Sequence, residues 1–389
     1  MKFADPLGLT KTRRYRAPLR LILDQGQVHW NHQGMPPEIR RAFEKVLLCG
    51  TIALGAELYA SDTDERLVFH TCKSRACPSC GYRATVQWQR ERWAALPDVP
   101  YKGITFTMPK QFWQLFQENR SLAHALPAIS AAIMQGAMRA KHGISIGVTA
   151  ILHTFNGRLE FNSHVHTIVT AGGLHEMSTK WVSQIFYDRD LLMRLWRAGI
   201  IKAIRSAHRA GRLVTGLSRL QLEEMLSFWE QRWWSVKIQS FPSREHYLRY
   251  AGRYVSRPPI AQRRITRVEE GNVEFWLKDK KQGSITRQEY TLEQFIALWM
   301  QHLPSRYQHS IRHFGLFAPR SVNQALAAIF ILTRQRRRQK PRQRRWADSI
   351  KRDFGWNPLL DSNGRRMRWV GSFQLQPCKR PPSLKCLPV

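Results

Sequence analysis

His164 and His166 stand two apart in Phe161-Asn162-Ser163-His164-Val165-His166-Thr167-Ile168-Val169-Thr170, a run of β-branched and apolar residues that reads as a strand. Side chains alternate faces along a strand, so the two imidazoles project from one side a few ångströms apart, while Val165 and Ile168 supply packing. Such a pair can take a divalent cation, and a third ligand would leave positions open for a phosphate oxygen or water. On its own, a His-x-His is more often two half-buried strand histidines. Two residues compete to be the third ligand. A tight turn at Asn156-Gly157 pairs His153 with Glu160, and Glu160 shares the face of His164 and His166 by the period of two. For His153 to face His164, the hairpin must centre between Arg158 and Leu159, through a longer loop or a bulge.

A second group of reactive side chains lies in Ser243-Arg244-Glu245-His246-Tyr247-Leu248-Arg249-Tyr250-Ala251-Gly252-Arg253-Tyr254-Val255, a predicted helix that follows Pro242 with Ser243 as its N-cap. Tyr250 and Tyr254 are four apart and share one face, as does Tyr247. An aromatic packing stripe has the same spacing, so the spacing does not say which ring reacts. A phenolate can attack a phosphodiester in line, expelling a 3′-hydroxyl and leaving a 5′-phosphotyrosine. The bond energy is conserved, so rejoining needs no ATP. A free phenol has a pKa of about 10 and needs help, which a cation polarising the phosphate supplies; Mg²⁺ or Mn²⁺ is expected, because the ion must bind phosphate oxygens and exchange freely. Two tyrosines would let the protein hold one strand end while attacking another.

The 389 residues carry 62 Lys and Arg against 28 Asp and Glu, a formal charge of +34 that points to a polyanionic partner and so to nucleic acid. A merely basic or ribosome-associated protein is the plainer alternative. A membrane partner is not expected: there is no apolar run of about 18 residues, and Met1-Lys2-Phe3-Ala4-Asp5-Pro6 lacks a secretory h-region. Nucleic acid would lie in a basic groove, and unpaired bases could stack on some of the 14 tryptophans, Trp88, Trp93, Trp233 and Trp234 among the candidates. Six cysteines are too few for a disulfide scaffold in a chain this long, and Cys72, Cys77 and Cys80 crowd together, which suits a metal in a reducing cytoplasm. Cys378 and Cys386 have no apparent partners.

These residues need elements to position them. Residues 1–35 read as a loosely ordered basic arm, and 38–48 as a short amphipathic helix with apolar residues at 39, 42, 43, 46 and 47. A second helix follows over 84–96. A new domain is expected from Tyr101, with strands over 102–107, 146–155 and 159–170 and a helix over about 112–141. Residues 178–255 read as mostly helical, ending at Arg257-Pro258-Pro259. A hairpin is expected over 265–268 and 273–278 around Glu270-Gly271-Asn272. From Arg334 to Arg345 eight of twelve residues are Arg or Lys, a charge run more often solvated than folded, which would contact phosphates without reading sequence.

The order of these blocks carries a resemblance. The cluster Cys72-Lys73-Ser74-Arg75-Ala76-Cys77-Pro78-Ser79-Cys80, the strand Ile104-Thr105-Phe106-Thr107-Met108-Pro109, His153-Thr154-Phe155 leading to His164-Val165-His166 and Gly172-Gly173-Leu174, and Tyr250-Ala251-Gly252-Arg253-Tyr254 running into Arg257-Pro258-Pro259-Ile260-Ala261 together resemble the insertion-sequence-91 family of rolling-circle transposases. That family belongs to the His-hydrophobic-His (HUH) endonuclease superfamily, with plasmid replication initiators and conjugative relaxases. The likeness covers roughly residues 40–330, and its last block is the most distinctive.

The resemblance implies an α+β fold whose central antiparallel sheet is of the HUH endonuclease type, flanked by helices and preceded by a zinc-binding module. It makes Tyr250 and Tyr254 the nucleophiles and His164 and His166 ligands of Mg²⁺ or Mn²⁺, and it ranks His153 ahead of Glu160 as the third ligand. It implies a structural Zn²⁺ on Cys72, Cys77 and Cys80, completed by Cys49 or His70. Relatives often have more cysteines ahead of the cluster, where this chain has Ser61-Asp62-Thr63-Asp64. Three free thiols are the other reading. The domains implied are 1–98 for the arm, helix and zinc module, 99–300 for the catalytic domain with a helical insertion, and 301–389 for a helical and basic DNA-binding tail. The expected activity is nicking and rejoining of single-stranded DNA at the ends of a mobile element, in the bacterial cytoplasm at the nucleoid. A replication initiator or relaxase would use the same chemistry, and a non-catalytic zinc-dependent nucleic-acid-binding protein is the alternative of another class.

Overall fold

The computed structural model describes residues 18–74, 76–175, 180–255, 258–278, 283–303, 308–339, 341–342 and 344–374. Residues 1–17 of the expected N-terminal arm, Arg257, two positions of the 334–345 run, and Cys378 and Cys386 lie outside the described residues. The rest of that arm is not loosely ordered: Pro18–Gln25 and Gln27–Trp30 are helical and bury Leu19, Ile22, Leu23 and Trp30. The main elements, in chain order, are α1 (Pro37–Leu47), β1 (Ala56–Ala60), β2 (Glu65–Phe69), α2 (Pro78–Ala95), β3 (Tyr101–Phe106), α3 (Arg120–His142), β4 (Gly147–Phe155), β5 (Phe161–Thr170), α4 (Arg189–Arg209), α5 (Arg219–Glu230), β6 (Val236–Phe241) and α6 (Arg244–Ala251), followed by β7 (Ile265–Glu269), β8 (Asn272–Lys278), β9 (Ile285–Thr291), α7 (Leu292–Met300), β10 (Ile311–Gly315), α8 (Val322–Leu332), α9 (Trp346–Phe354) and β11 (Arg368–Phe373). The described residues form two compact units: those within Met1–Ala84, Arg257–Leu303 and Arg342–Val389 contribute to one, those within Thr85–Ser256 and Pro304–Pro341 to the other.

The second unit is built on a five-stranded sheet of order β10-β4-β5-β3-β6, with every pairing antiparallel. Strand alternation sorts its side chains. Ile104, Phe106, Val165 and Val169 join a core with α3 and α4 on one face, whereas Tyr101, Ile151 and Ile168 join Tyr247, Leu248 and Tyr250 of α6 on the other. Side chains fix where the helices start: Asp188 accepts from the amides of Asp190 and Leu191, Ser218 forms a capping box with Gln221, and Ser243 takes the N-cap expected of it.

The sequence reading of 178–255 as mostly helical is corrected by β6. Val236-Lys237-Ile238-Gln239 alternates apolar and polar, a strand signal submerged in a Trp- and Arg-rich helical context. β10 was likewise not anticipated. The tyrosine helix is also shorter than expected: it ends at Ala251, and Tyr254 sits in the turns beyond it.

In the first unit β1 pairs with β2 on one side and with β11, from the far end of the described chain, on the other. A small apolar core stacks Trp30 on Phe43 at 5.1 Å, with Trp299 of α7 against the edge of Phe43. The expected hairpin forms between β7 and β8, where Glu270 and Gly271 both take positive φ, and β9 adds a third strand. Among the described residues no helix is long and apolar enough to cross a membrane.

Candidate functional site

The β4–β5 register sets His153 opposite His164 and Ile151 opposite His166. The three imidazoles therefore share one face, each offering a ring nitrogen within 4.8 Å of the others. The tight turn expected at Asn156-Gly157 is not what joins these strands. The register shifts between His153 and Phe155, Leu159 takes a φ of 64°, and Asn156 Oδ1 accepts from the amides of Arg158 and Glu160 at 2.8 and 3.1 Å. The wider loop moves the hairpin centre to the Arg158/Leu159 junction, which brings His153 to the pair. Glu160 instead takes a hydrogen bond from Asn156 Nδ2 at 2.7 Å and stays out of the group.

Hydrogen bonds fix which ring nitrogens carry lone pairs. A carbonyl oxygen can only accept, so His153 Nε2 donates to Tyr254 O at 2.9 Å and its Nδ1 is left as the base. By the same logic His164 Nδ1 donates to Asn162 O at 2.8 Å and its Nε2 holds the lone pair. Burial, with repulsion from His164, pushes His153 down to about 3, so this ring is neutral at any physiological pH.

The tyrosines close over this group. Tyr250 is 5% exposed; its hydroxyl lies 3.3 Å from His166 Nδ1 and 3.5 Å from Thr105 Oγ1, and Thr105 Oγ1 is itself 3.2 Å from His166 Nδ1. Burial pushes the Tyr250 phenol well above its ordinary pKa, opposed by the Thr105 hydrogen bond and the Arg253 charge. Tyr254 stacks on His166 with ring centres 3.7 Å apart and lies 4.9 Å from Tyr250. The Arg253 guanidinium sits over both phenol rings, at 4.8 and 5.9 Å. Tyr247, on the same helix face by spacing, goes elsewhere: it is fully buried, stacked on Tyr101 at 4.7 Å, with its hydroxyl 3.5 Å from Thr149. Gly103 makes room for this packing, since a Cβ there would stand 2.7 Å from the Phe241 ring that leans on Tyr250.

Thr105 and Arg253 were not singled out from the sequence. Thr105 could have been found from the β3–β5 register, which pairs it with His166, and Arg253 from its place between the two tyrosines. Trp234 is buried in the core against Phe112, whereas Trp93 and Trp233 are exposed, each beneath a guanidinium.

A second constellation occupies the first unit. Cys49, just past the end of α1, meets Cys72, Cys77 and Cys80, the last in the first turn of α2. The Sγ separations are 3.6 Å (Cys49–Cys77), 3.7 Å (Cys72–Cys80) and 3.8 Å (Cys49–Cys80). These are far too long for disulfides, and they match the edge of about 3.8 Å that a tetrahedron of thiolates at about 2.3 Å from zinc must have. His70, the other candidate for the fourth position, has both ring nitrogens engaged, Nε2 with Glu57 at 2.9 Å and Nδ1 with Leu54 O at 3.2 Å.

Comparisons with known proteins agree with this division. Residues 147–325 match a family described as putative transposase, and residues 22–108 match one described as transposase zinc-binding domain. The chain is 30% identical over 298 residues to the transposase for insertion sequence element IS801 of Pseudomonas savastanoi pv. phaseolicola, covering 74% of this chain and 72% of that one. It is 28% identical over 312 residues to the putative transposase y4qJ of Sinorhizobium fredii, covering 76% and 78%. No solved structure matches. With a zinc-binding module in front of a transposase domain, and this likeness along most of its length, the chain belongs to the insertion-sequence-91 family of transposases, enzymes that cleave and transfer DNA strands.

Proposed function

We propose that this transposase nicks and rejoins single-stranded DNA at the ends of its mobile element, through a 5′-phosphotyrosine intermediate, in rolling-circle transposition. Tyr250 and Tyr254 are the nucleophiles, and His153, His164 and His166 hold Mg²⁺ or Mn²⁺ on an HUH-type sheet. One observation carries the reading: two phenols and three converging imidazoles lie on one face of one sheet, with the Tyr250 hydroxyl 3.3 Å from His166 Nδ1.

The donor set fits a divalent cation. His153 is neutral and presents Nδ1, His164 presents Nε2, and a facial set of three leaves positions for phosphate. Imidazole is a softer ligand than carboxylate, so Mn²⁺ should serve better than Mg²⁺. Bound there, the cation supplies Lewis-acid neutralisation of charge on the scissile phosphate. With Nε2 of His166 committed as a ligand, its Nδ1–H donates to the Tyr250 oxygen and stabilises the phenolate, assisted by Thr105 and by the Arg253 charge. The phenol gives its proton to water, its oxygen bonds to phosphorus, the P–O3′ bond breaks, and the leaving 3′-oxygen takes up a proton from water. Rejoining reverses these steps with a 3′-hydroxyl as the attacker. A structural Zn²⁺ on Cys49, Cys72, Cys77 and Cys80 holds the other unit together, and the DNA substrate puts the enzyme at the bacterial nucleoid.

The test incubates purified protein with end-labelled single-stranded DNA from the element's termini, with Mn²⁺ or Mg²⁺ and then with EDTA. The expected result is a metal-dependent covalent adduct that persists in Y250F or Y254F and vanishes in the double variant. Tight binding without an adduct on any DNA would leave a non-catalytic binding protein. An adduct that vanishes in just one single variant would reduce the chemistry to one nucleophile.

A further inference from the structure

The segment 342–374 lies beyond both family matches, which end at residues 108 and 325, yet it is built into the zinc-bearing unit. β11 completes the β1–β2 sheet as an edge strand, pairing Trp369 with Tyr59 and Arg368 with Ala60. The sheet face next to it continues as an aromatic row, because Tyr59 lies 5.9 Å from Trp346 at the start of α9. Trp369 is 59% exposed, which is unusual for the largest apolar side chain. It is not loose there: its Nε1 donates to Glu57 Oε2 at 2.7 Å, and the same carboxylate accepts from Ser372 Oγ at 2.6 Å and meets His70 Nε2 through its other oxygen. The indole is thus held through its Nε1 edge while most of its surface stays exposed.

Charge surrounds it. From Arg342 to Gln374 the chain carries eight Arg and Lys against three Asp. Arg365, Arg366 and Arg368, immediately before the tryptophan, are exposed and form no ion pair among the described residues. A fixed ring at an edge strand that is entered through three exposed guanidiniums without ion pairs is suited to a ligand that alternates flat faces with negative charges.

We infer that β11 and the Arg365–Arg368 run form a binding site for single-stranded DNA, with an unpaired base stacked on Trp369 and backbone phosphates on Arg365, Arg366 and Arg368. The site needs DNA as the partner, which the family supplies, and does not depend on the tyrosine chemistry.

The experiment measures binding of full-length, zinc-loaded protein to fluorescent oligothymidylate and to a duplex of equal length, across a salt series. No Mg²⁺ or Mn²⁺ is added, so strand cleavage plays no part. W369A should weaken single-strand binding about tenfold and duplex binding much less, as expected for loss of one stacked base. R365Q/R366Q/R368Q should make the slope of log affinity against log salt shallower by about 2, three single-strand phosphate contacts at about 0.7 each. Zinc content and thermal midpoint report whether the module stays intact. If W369A loses its zinc, the arginine variant decides, since those side chains are exposed. Unchanged affinity and slope would overturn the site, and an equal W369A loss on single strand and duplex would overturn the stacked base. If the adduct assay fails while these two losses appear, the proposed chemistry falls and this site stands.

Discussion

The two clusters of side chains that could hold a metal ion are built by opposite means. The histidines come from adjacent positions of paired strands, so backbone hydrogen bonds and a period of two set their spacing before any metal arrives. The cysteines come from the end of a helix, a loop and a helix start spread over residues 49–80, where no ladder aligns them and four thiolates must find one another. Four sulfurs close a tetrahedron and leave no position for a substrate. Three imidazoles beside two phenols would leave a bound cation with positions to spare for a substrate. A preformed, incomplete ligand set suits catalysis, and a complete one that organises its own loops suits structure.

The largest effects should separate the clusters on this ground. C77A is expected to lose zinc and to abolish the cooperative unfolding of its unit, because structural zinc binding is itself folding free energy, of order 10 kcal/mol or more in small zinc modules. H164A should leave the thermal midpoint nearly unchanged while reducing metal-dependent adduct formation by at least about 100-fold, the upper end of what loss of a ligand's supporting partner alone costs. Calorimetry and zinc analysis check the first, and the denaturing-gel assay the second. If H164A unfolds the protein, or C77A retains a sharp transition, the contrast between organising and preorganised sites is wrong.

How much of this was legible follows the same contrast. The histidine pair could be placed on one face from sequence because a strand's period is local. The third imidazole of the group could not, because its place depends on a loop in which Leu159 accepts positive φ and Asn156 caps two amides, a choice that overrides the Asn-Gly turn signal. Cys49 and His70 could not be separated by spacing. What separates them is Glu57, a strand residue that engages the His70 ring. The three domains read as successive stretches, 1–98, 99–300 and 301–389, carry no information about chain return, whereas β11 pairs with β1 across more than three hundred residues. β6 was hidden by composition, and Thr105 by lying in a strand whose partner register the sequence does not print.

A smaller effect sharpens the description of the open site. Thr105 Oγ1 lies within hydrogen-bonding distance of both the Tyr250 hydroxyl and His166 Nδ1. T105V keeps the shape and removes the hydroxyl; loss of its hydrogen bond to the Tyr250 oxygen, worth about 1 kcal/mol, should lower adduct formation at Tyr250 about fivefold. The Y254F background isolates that tyrosine, and T105S should restore the rate because it returns the hydroxyl. Failure of serine to rescue would mean that Thr105 serves packing alone.

The last effect concerns acid, and its sign follows from burial. His153 in the folded protein is pushed down to about 3, while an unfolded histidine titrates near 6.5. Between those values the unfolded chain binds a proton that the folded chain refuses, so stability rises with pH across that window and is lost as pH falls from about 6.5 toward 3. Metal-free protein should therefore show a falling thermal midpoint over this range in the transition of the unit that holds the sheet. H153Q keeps a donor that can reach the Tyr254 carbonyl and has no proton to gain, so its midpoint should fall less steeply. The zinc-loaded cysteine cluster loses stability in acid as well, by another route, because acid protonates thiolates and releases the ion, so each unit's transition must be followed separately. Comparing the two transitions with and without zinc tests whether the histidine site is neutral by construction. If H153Q and the parent protein lose stability in parallel, the ring is not held neutral by the fold, and the preorganised half of the contrast fails.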